Sequence, residues 1–262
     1  MGYTNSSLVC YTNISPNKTK NRTHAIDTIT IHCMAGNLTI ERCGELFAKK
    51  TRRASSNYGI GSDGRIGMYV EEKDRSWCSS SSSNDHRAIT IEVANDGGAP
   101  EWHVSDAALK SLINLCADIC KRNNIKELKW KADKRLIGQI DKQNMTVHRW
   151  FAAKACPGNY LYNNHGYIAQ EVNKILSGKA AISLPEAPVN NTPAAALPLT
   201  GNKVKVTANS LNVRSGPGVK YGISCAVTKN QVFTVIEESP DKKWLKIQPE
   251  IGWISAKYTK KI

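Results

Sequence analysis

The chain has 262 residues, 40% of them hydrophobic and 22% charged, enough for one sizeable core and a small second domain. No stretch approaches the roughly 18 consecutive apolar residues of a membrane-spanning helix, so no membrane span is expected. Net charge is +14, divided evenly between residues 1–177 and 202–262 at +7 each, with no single basic stripe laced with aromatics, which argues against a nucleic-acid module.

The first twenty residues, MGYTNSSLVCYTNISPNKTK, lack a basic segment followed by an apolar one, and no secretory signal peptide is expected. Lys18, Lys20 and Arg22 then read as a solvated basic strip. AIDTITIHC (25–33) alternates apolar and polar residues and is β-branched, which predicts a strand. Thr39 is placed to cap a helix over IERCGELFAKK, with Ile40, Cys43 and Phe47 on one face. Ser56–Ile60 and Arg65–Val70 flank the turn signal Ser-Asp-Gly and predict a hairpin. Five consecutive serines, Ser79–Ser83, read as a mobile loop. AITIEVAN (88–95) is a second strand, placing Thr90 and Glu92 on one face and Ile89, Ile91 and Val93 on the other. Ser105 caps an amphipathic helix whose stripe includes Leu109, Leu112, Ile113, Cys116 and Cys120. HGYIAQEVNKILSG (165–178) predicts a last helix, ended by Gly178.

SGKAAISLPEAPVNNTPAAALPLTG (177–201) holds four prolines and many alanines without a periodic apolar face, and reads as a linker. Beyond it the texture changes to short strands with polar turns. The expected organisation is therefore an α/β domain over 1–177 with a mixed central sheet flanked by helices, a linker over 178–201, and a small all-β barrel over 202–262. The eight cysteines do not have the spacing of a disulfide scaffold. Cys116 and Cys120, four apart on a helix, read as small buried hydrophobes.

Three residues carry the chemistry: His32, at the end of the first strand, and His148 and Cys156 in VHRWFAAKACPG. Two imidazoles and a thiolate leave one tetrahedral position open, the pattern of a catalytic zinc set rather than a structural one. Taken singly, a strand-end histidine or a Cys-Pro-Gly turn is more often structural. Together with their surroundings they are more specific. TITIHCMAG (28–36), SSNYGIGSDGRIGMYVEE (55–72), AITIEVAND (88–96) and HRWFAAKACPGNYL (148–161) resemble, in order and spacing, the zinc amidases that include phage endolysins, autolysins and peptidoglycan recognition proteins.

This resemblance covers about residues 5–176. It implies hydrolysis of the amide between N-acetylmuramic acid and L-alanine in peptidoglycan, with Zn2+ held by His32, His148 and Cys156. It places Lys154 where the family stabilises the developing oxyanion. It makes Glu92 the general base, with Tyr58 as a second candidate to orient water or polarise the carbonyl. Many relatives carry a histidine after an aromatic where this chain has Trp77-Cys78, a position that lines the substrate groove; His86 is expected to be an exposed loop histidine.

SLNVRSGPGVKYG (210–222) and KWLKIQPEIGWISAKYT (243–259) resemble bacterial SH3-like domains. That implies a wall-binding module, with Trp244 and Tyr221 lining a groove and Trp253 either joining them or buried in the core. The expected partners are peptidoglycan and anionic wall polymers; the expected protein is a monomer made in the bacterial cytoplasm that acts on the wall after release, through a holin if phage-encoded. Two other readings are a cysteine-dependent wall peptidase with Cys156 as nucleophile, and a non-catalytic peptidoglycan binder. Against the first stands the placement of Cys156 before Pro157-Gly158, in a loop rather than at a helix start.

Overall fold

The computed structural model describes residues 3–178, 203–214, 216–221, 223–248 and 252–262. They belong to two compact units that divide between Ile182 and Ser183. The expected linker, apart from Ser177 and Gly178, lies outside the described residues.

The first unit runs β1 (Tyr11–Thr12), β2 (Lys18–Thr19), β3 (Thr28–Cys33), α1 (Ile40–Ala48), β4 (Tyr58–Ile60), β5 (Ile66–Met68), β6 (Arg75–Ser76), α2 (Ser82–Arg87), β7 (Ala88–Val93), α3 (Asp106–Arg122), β8 (Met145–Thr146) and α4 (Gly158–Leu176). Six strands form a mixed sheet in the order β1-β5-β4-β7-β3-β8. β3 and β7 pair in parallel at its centre, and β4 and β5 form the expected antiparallel hairpin. All six residues of β3 are buried, as in a strand covered on both faces.

Alternation gives the two faces different chemistry. Ile29, Ile31, Ile89, Ile91 and Val93 share one cluster with Leu112, Ile113 and Ile119 of α3 and Leu161, Ile168 and Val172 of α4. Thr30, His32, Thr90 and Glu92 occupy the other parity. There the hydroxyls of Thr30 and Thr146 lie 2.8 Å apart, and Asn84 of α2 bonds both, which ties β8 to β3. α1 covers this side with a small cluster of Cys43, Phe47 and Tyr69.

The caps are those the sequence implies: Thr39 accepts from Arg42 N–H and Ser105 from Ala108 N–H. Cys116 and Cys120 are fully buried, and burial pushes both thiols up, Cys120 to about 12.

Three expectations need correction. The last helix starts at Gly158 rather than near His165, because Leu161, His165, Ile168 and Val172 form one buried stripe that begins a turn earlier. Arg22 is not solvated. It is buried, donating to the carbonyls of Glu72, Asp85 and His86 and to Asn57 Oδ1, and burial lowers it to about 10. Lys18 likewise pairs with Asp74 at 2.7 Å. The serine run is not a free loop. Ser81 caps α2 by accepting from Asn84 N–H, and the Asp85 carboxylate takes the amides of Cys78 and Ser79.

The second unit contains β9 (Lys203–Val206), β10 (Ser210–Arg214), β11 (Ile223–Thr228), β12 (Val232–Glu238), β13 (Trp244–Gln248), β14 (Gly252–Ser255) and β15 (Thr259–Lys261). They form one antiparallel sheet in the order β11-β10-β14-β13-β12-β9-β15. Its core is Val204, Val206, Leu211, Val213, Phe233, Val235, Leu245, Ile247 and Ile254. Gly252, at φ +126°, starts β14 where a Cβ would lie 2.4 Å from the Arg214 carbonyl oxygen, so only glycine fits.

Candidate metal centre and active site

His32 is the penultimate residue of β3, and β8 delivers His148 beside it. Thr146 pairs with Thr30 in register, and His148 follows two residues later. Cys156 is held from two directions. Arg149 N–H donates to the Cys156 carbonyl and Arg149 Nη2 to the Ala155 carbonyl, closing the loop from His148. On the other side, Gly158 at φ +83° opens α4, where a Cβ would lie 2.6 Å from that of Trp102, and the amides of Asn159 and Tyr160 bond the carbonyls of Pro100 and Glu101.

The three side chains converge. Cys156 Sγ lies 3.3 Å from His32 Nδ1, the rings of His32 and His148 are 5.1 Å apart, and the three donor atoms lie within 4.8 Å of one another. A tetrahedral zinc with bonds of about 2.0–2.3 Å spaces its donors roughly 3.3–3.8 Å apart; Cys156 and His32 already stand at that spacing, with His148 within 4.8 Å of both, and two imidazoles with a thiolate are the donor types such an ion takes. His32 Nε2 and Glu92 Oε2 are buried without a hydrogen-bond partner among the described residues. Burial holds the His32 imidazole well below its usual pKa, and burial followed by Lys154 lowers His148. Both are thus kept neutral, the form that ligates metal.

Glu92 pairs in register with His32, one strand over on the same face. Burial, with the Cys33 thiol adding to it and Arg52 opposing, pushes its carboxyl up to about 8. Its Oε1 accepts a long contact from Cys78 Sγ at 3.8 Å. Glu92, His148, Lys154 and Trp77 all line one cavity of about 570 Å³. Trp77 is fixed there by its indole N–H, which donates to Thr19 Oγ1 at 2.9 Å.

Tyr58 is not part of this assembly. Its backbone pairs with Ile91, not Glu92, so its ring belongs to the α3 side of the sheet. Its hydroxyl donates to Glu72 Oε1 at 2.7 Å and accepts from Ser6 N–H, within a buried network completed by Arg122. The expectation that it orients water fails on strand parity. His86 also lies elsewhere, accepting from Thr23 N–H.

Other residues here escaped the sequence reading. Ser80 Oγ lies 3.0 Å from His148 Nε2, from a backbone at φ 65°, a left-handed conformation uncommon for serine. Arg52, Arg53 and Arg75 line the cavity and make its rim basic. No local signal in a serine run or an isolated arginine announces such a role.

Cys156 lies in a turn two residues ahead of Gly158, where α4 begins, close enough to a helix start that its position does not by itself exclude a nucleophile. The Cys33 N–H donates to Cys156 Sγ at 3.4 Å, and the Cys156 and Cys33 thiols share one buried site in which Cys156 is held above its usual range. Its Sγ converges with His32 and His148, where a bound cation would stabilise the thiolate as a ligand.

In the second unit, Tyr221 is partly exposed and packs against Gly216, and Trp244 is half-buried. Trp253 is 8% exposed, so the buried alternative holds for it.

Comparison with known proteins agrees with this architecture. The N-acetylmuramoyl-L-alanine amidase family profile matches residues 22–159, just over half of the chain, and the bacterial SH3 domain profile matches 209–260. The chain belongs to the N-acetylmuramoyl-L-alanine amidase family and carries a bacterial SH3 domain. The protein YrvJ of Bacillus subtilis (strain 168), whose name assigns it provisionally to these amidases, is 38% identical over 52 residues, 19% of this chain. That match spans about 10% of YrvJ's length. Among solved structures, Staphylococcus aureus hydrolase AmiA in complex with its ligand aligns at 14% identity with a TM-score of 0.47, covering 68% of this chain and 95% of that one. N-acetylmuramoyl-L-alanine amidase LysC from Clostridium intestinale URNW aligns at 20% identity with a TM-score of 0.42, covering 66% and 95%.

Proposed function

We propose that the protein is a zinc-dependent N-acetylmuramoyl-L-alanine amidase that lyses the bacterial wall, with residues 1–177 catalytic and 202–262 binding the wall across the linker 178–201. The observation that carries this reading is the meeting of His32, His148 and Cys156, with His148 and Glu92 opening onto one cavity, in a chain of the amidase family. When bound, a zinc ion supplies Lewis acidity, polarising the scissile carbonyl and making water nucleophilic at neutral pH.

The chain's own groups do the rest. Glu92, with a carboxyl poised near neutrality, accepts the proton of the attacking water and returns it to the departing alanine amine. Lys154, on the cavity wall beside His148, presents a cation to the developing oxyanion. Trp77 and the arginine rim contact the glycan and stem peptide. Trp244 and Tyr221 are proposed contacts of the SH3 domain with the wall.

Mass spectrometry of digested walls tests the reaction. Free N-terminal L-alanine on stem peptides, with intact glycan strands, is the expected product. Cleavage within the stem peptide, with muramoyl-alanine bonds intact, points to the peptidase instead.

A further inference from the structure

On the second unit, β9 lies between β12 and the edge strand β15, and its alternate residues Val204 and Val206 are buried. The other parity carries Lys203 and Lys205 outward. Lys205 is directly opposite Lys260 of β15 on one side and Val232 of β12 on the other. Directly opposed cross-strand residues have Cβ atoms about 5 Å apart, and like charges there are destabilising. Lys203 follows about 7 Å along the strand. Ile262 N–H bonds the Lys203 carbonyl, and the side chains of Ile262 and Val232 are themselves exposed.

Among the described residues, none of Lys203, Lys205 and Lys260 has an acidic partner within 4.0 Å. Glu237, further along β12, is already paired with Lys246. Edge protection explains lysines on β15, because charge there blocks pairing with another sheet. It does not explain Lys203 and Lys205, which stand one strand inside the edge. The sheet thus retains an opposed lysine pair that costs stability, in a region with eleven Lys and Arg against four Asp and Glu.

We propose that this lysine face is the docking site for the phosphodiester backbone of a wall-linked poly(alditol phosphate). The inference rests on the wall-binding reading of this unit. A single phosphate gains little from solvated lysines, whereas a polymer with regularly repeated charge engages all three at once and is held multivalently. The exposed Val232, beside Lys205, and Ile262, beside Lys203, give its carbon units an apolar surface next to the ammonium groups.

The test uses the full chain carrying Glu92→Gln, so that the walls persist. Binding is measured to walls bearing the polymer, to the same walls stripped of phosphodiesters by hydrofluoric acid, and to phosphatidylglycerol vesicles. Expected are at least tenfold tighter binding to intact than to stripped walls and weakening by salt. Lys205→Gln/Lys260→Gln should lose that advantage while remaining folded. Lys260→Glu should raise the melting temperature of this unit while weakening its grip on intact walls. Equal binding to both wall preparations, or full binding by the double variant, overturns the proposal and leaves the wall-binding reading standing. Binding to vesicles alone, or to neither wall, overturns both.

Discussion

The two faces of the central sheet teach how this fold separates stability from chemistry. Ile29, Ile31, Ile89 and Ile91 face α3 and α4 in a continuous apolar cluster. One residue away along the same strands, His32 and Glu92 share the other face, Glu92 lining a cavity, and their buried atoms Nε2 and Oε2 have no hydrogen-bond partner among the described residues. Because side chains alternate with a period of two, neighbouring residues in one strand have unrelated roles. Substitutions on the cavity face should change turnover with little effect on folding, and substitutions on the other face should do the reverse.

The largest effects are expected at the metal ligands. His32→Ala, His148→Ala and Cys156→Ala should each abolish lysis and lose bound zinc, read by elemental analysis of the purified variants. Glu92→Gln should retain zinc and lose about 10²–10⁴-fold in turnover on muropeptides. Lys154→Ala, also with zinc in place, should cost roughly 3 kcal/mol in transition-state stabilisation. Near-normal turnover in Glu92→Gln would make that carboxylate structural.

On the opposite face, Leu112→Ala should cost about 2–5 kcal/mol by denaturant unfolding, since Leu112 is fully buried, yet leave the rate per folded molecule unchanged. Tyr58→Phe is the smallest and the most discriminating change. It removes one buried hydrogen bond to Glu72 and one from Ser6 N–H, costing about 1–3 kcal/mol, and turnover should not move. A fall in turnover comparable to that of Glu92→Gln would break the division between the faces.

The same parity explains what the sequence made legible. AITIEVAN displays its alternation openly, so the placement of Glu92 follows from the strand alone. Tyr58 lies in a three-residue strand whose register with β7 is set by the hairpin, and nothing local indicates that it faces Ile91. Arg22 and the serine run depart from what their residue types imply for a related reason. Charged and small polar residues read as solvated, yet Arg22 replaces water with four hydrogen-bond acceptors and Asp85 organises the serines. His32, His148 and Cys156 were legible because metal chemistry restricts the residue types. The arginine rim and Ser80 were not, because their role comes only from the loop that carries them.

The central claim is that His32, His148 and Cys156 hold a catalytic metal beside Glu92. Metal analysis with activity, before and after chelation, tests it most directly. About one zinc per chain, loss of lysis on dialysis against EDTA, and recovery on adding zinc are expected. Lysis that persists after complete removal of zinc but stops with iodoacetamide would contradict it and make Cys156 a nucleophile.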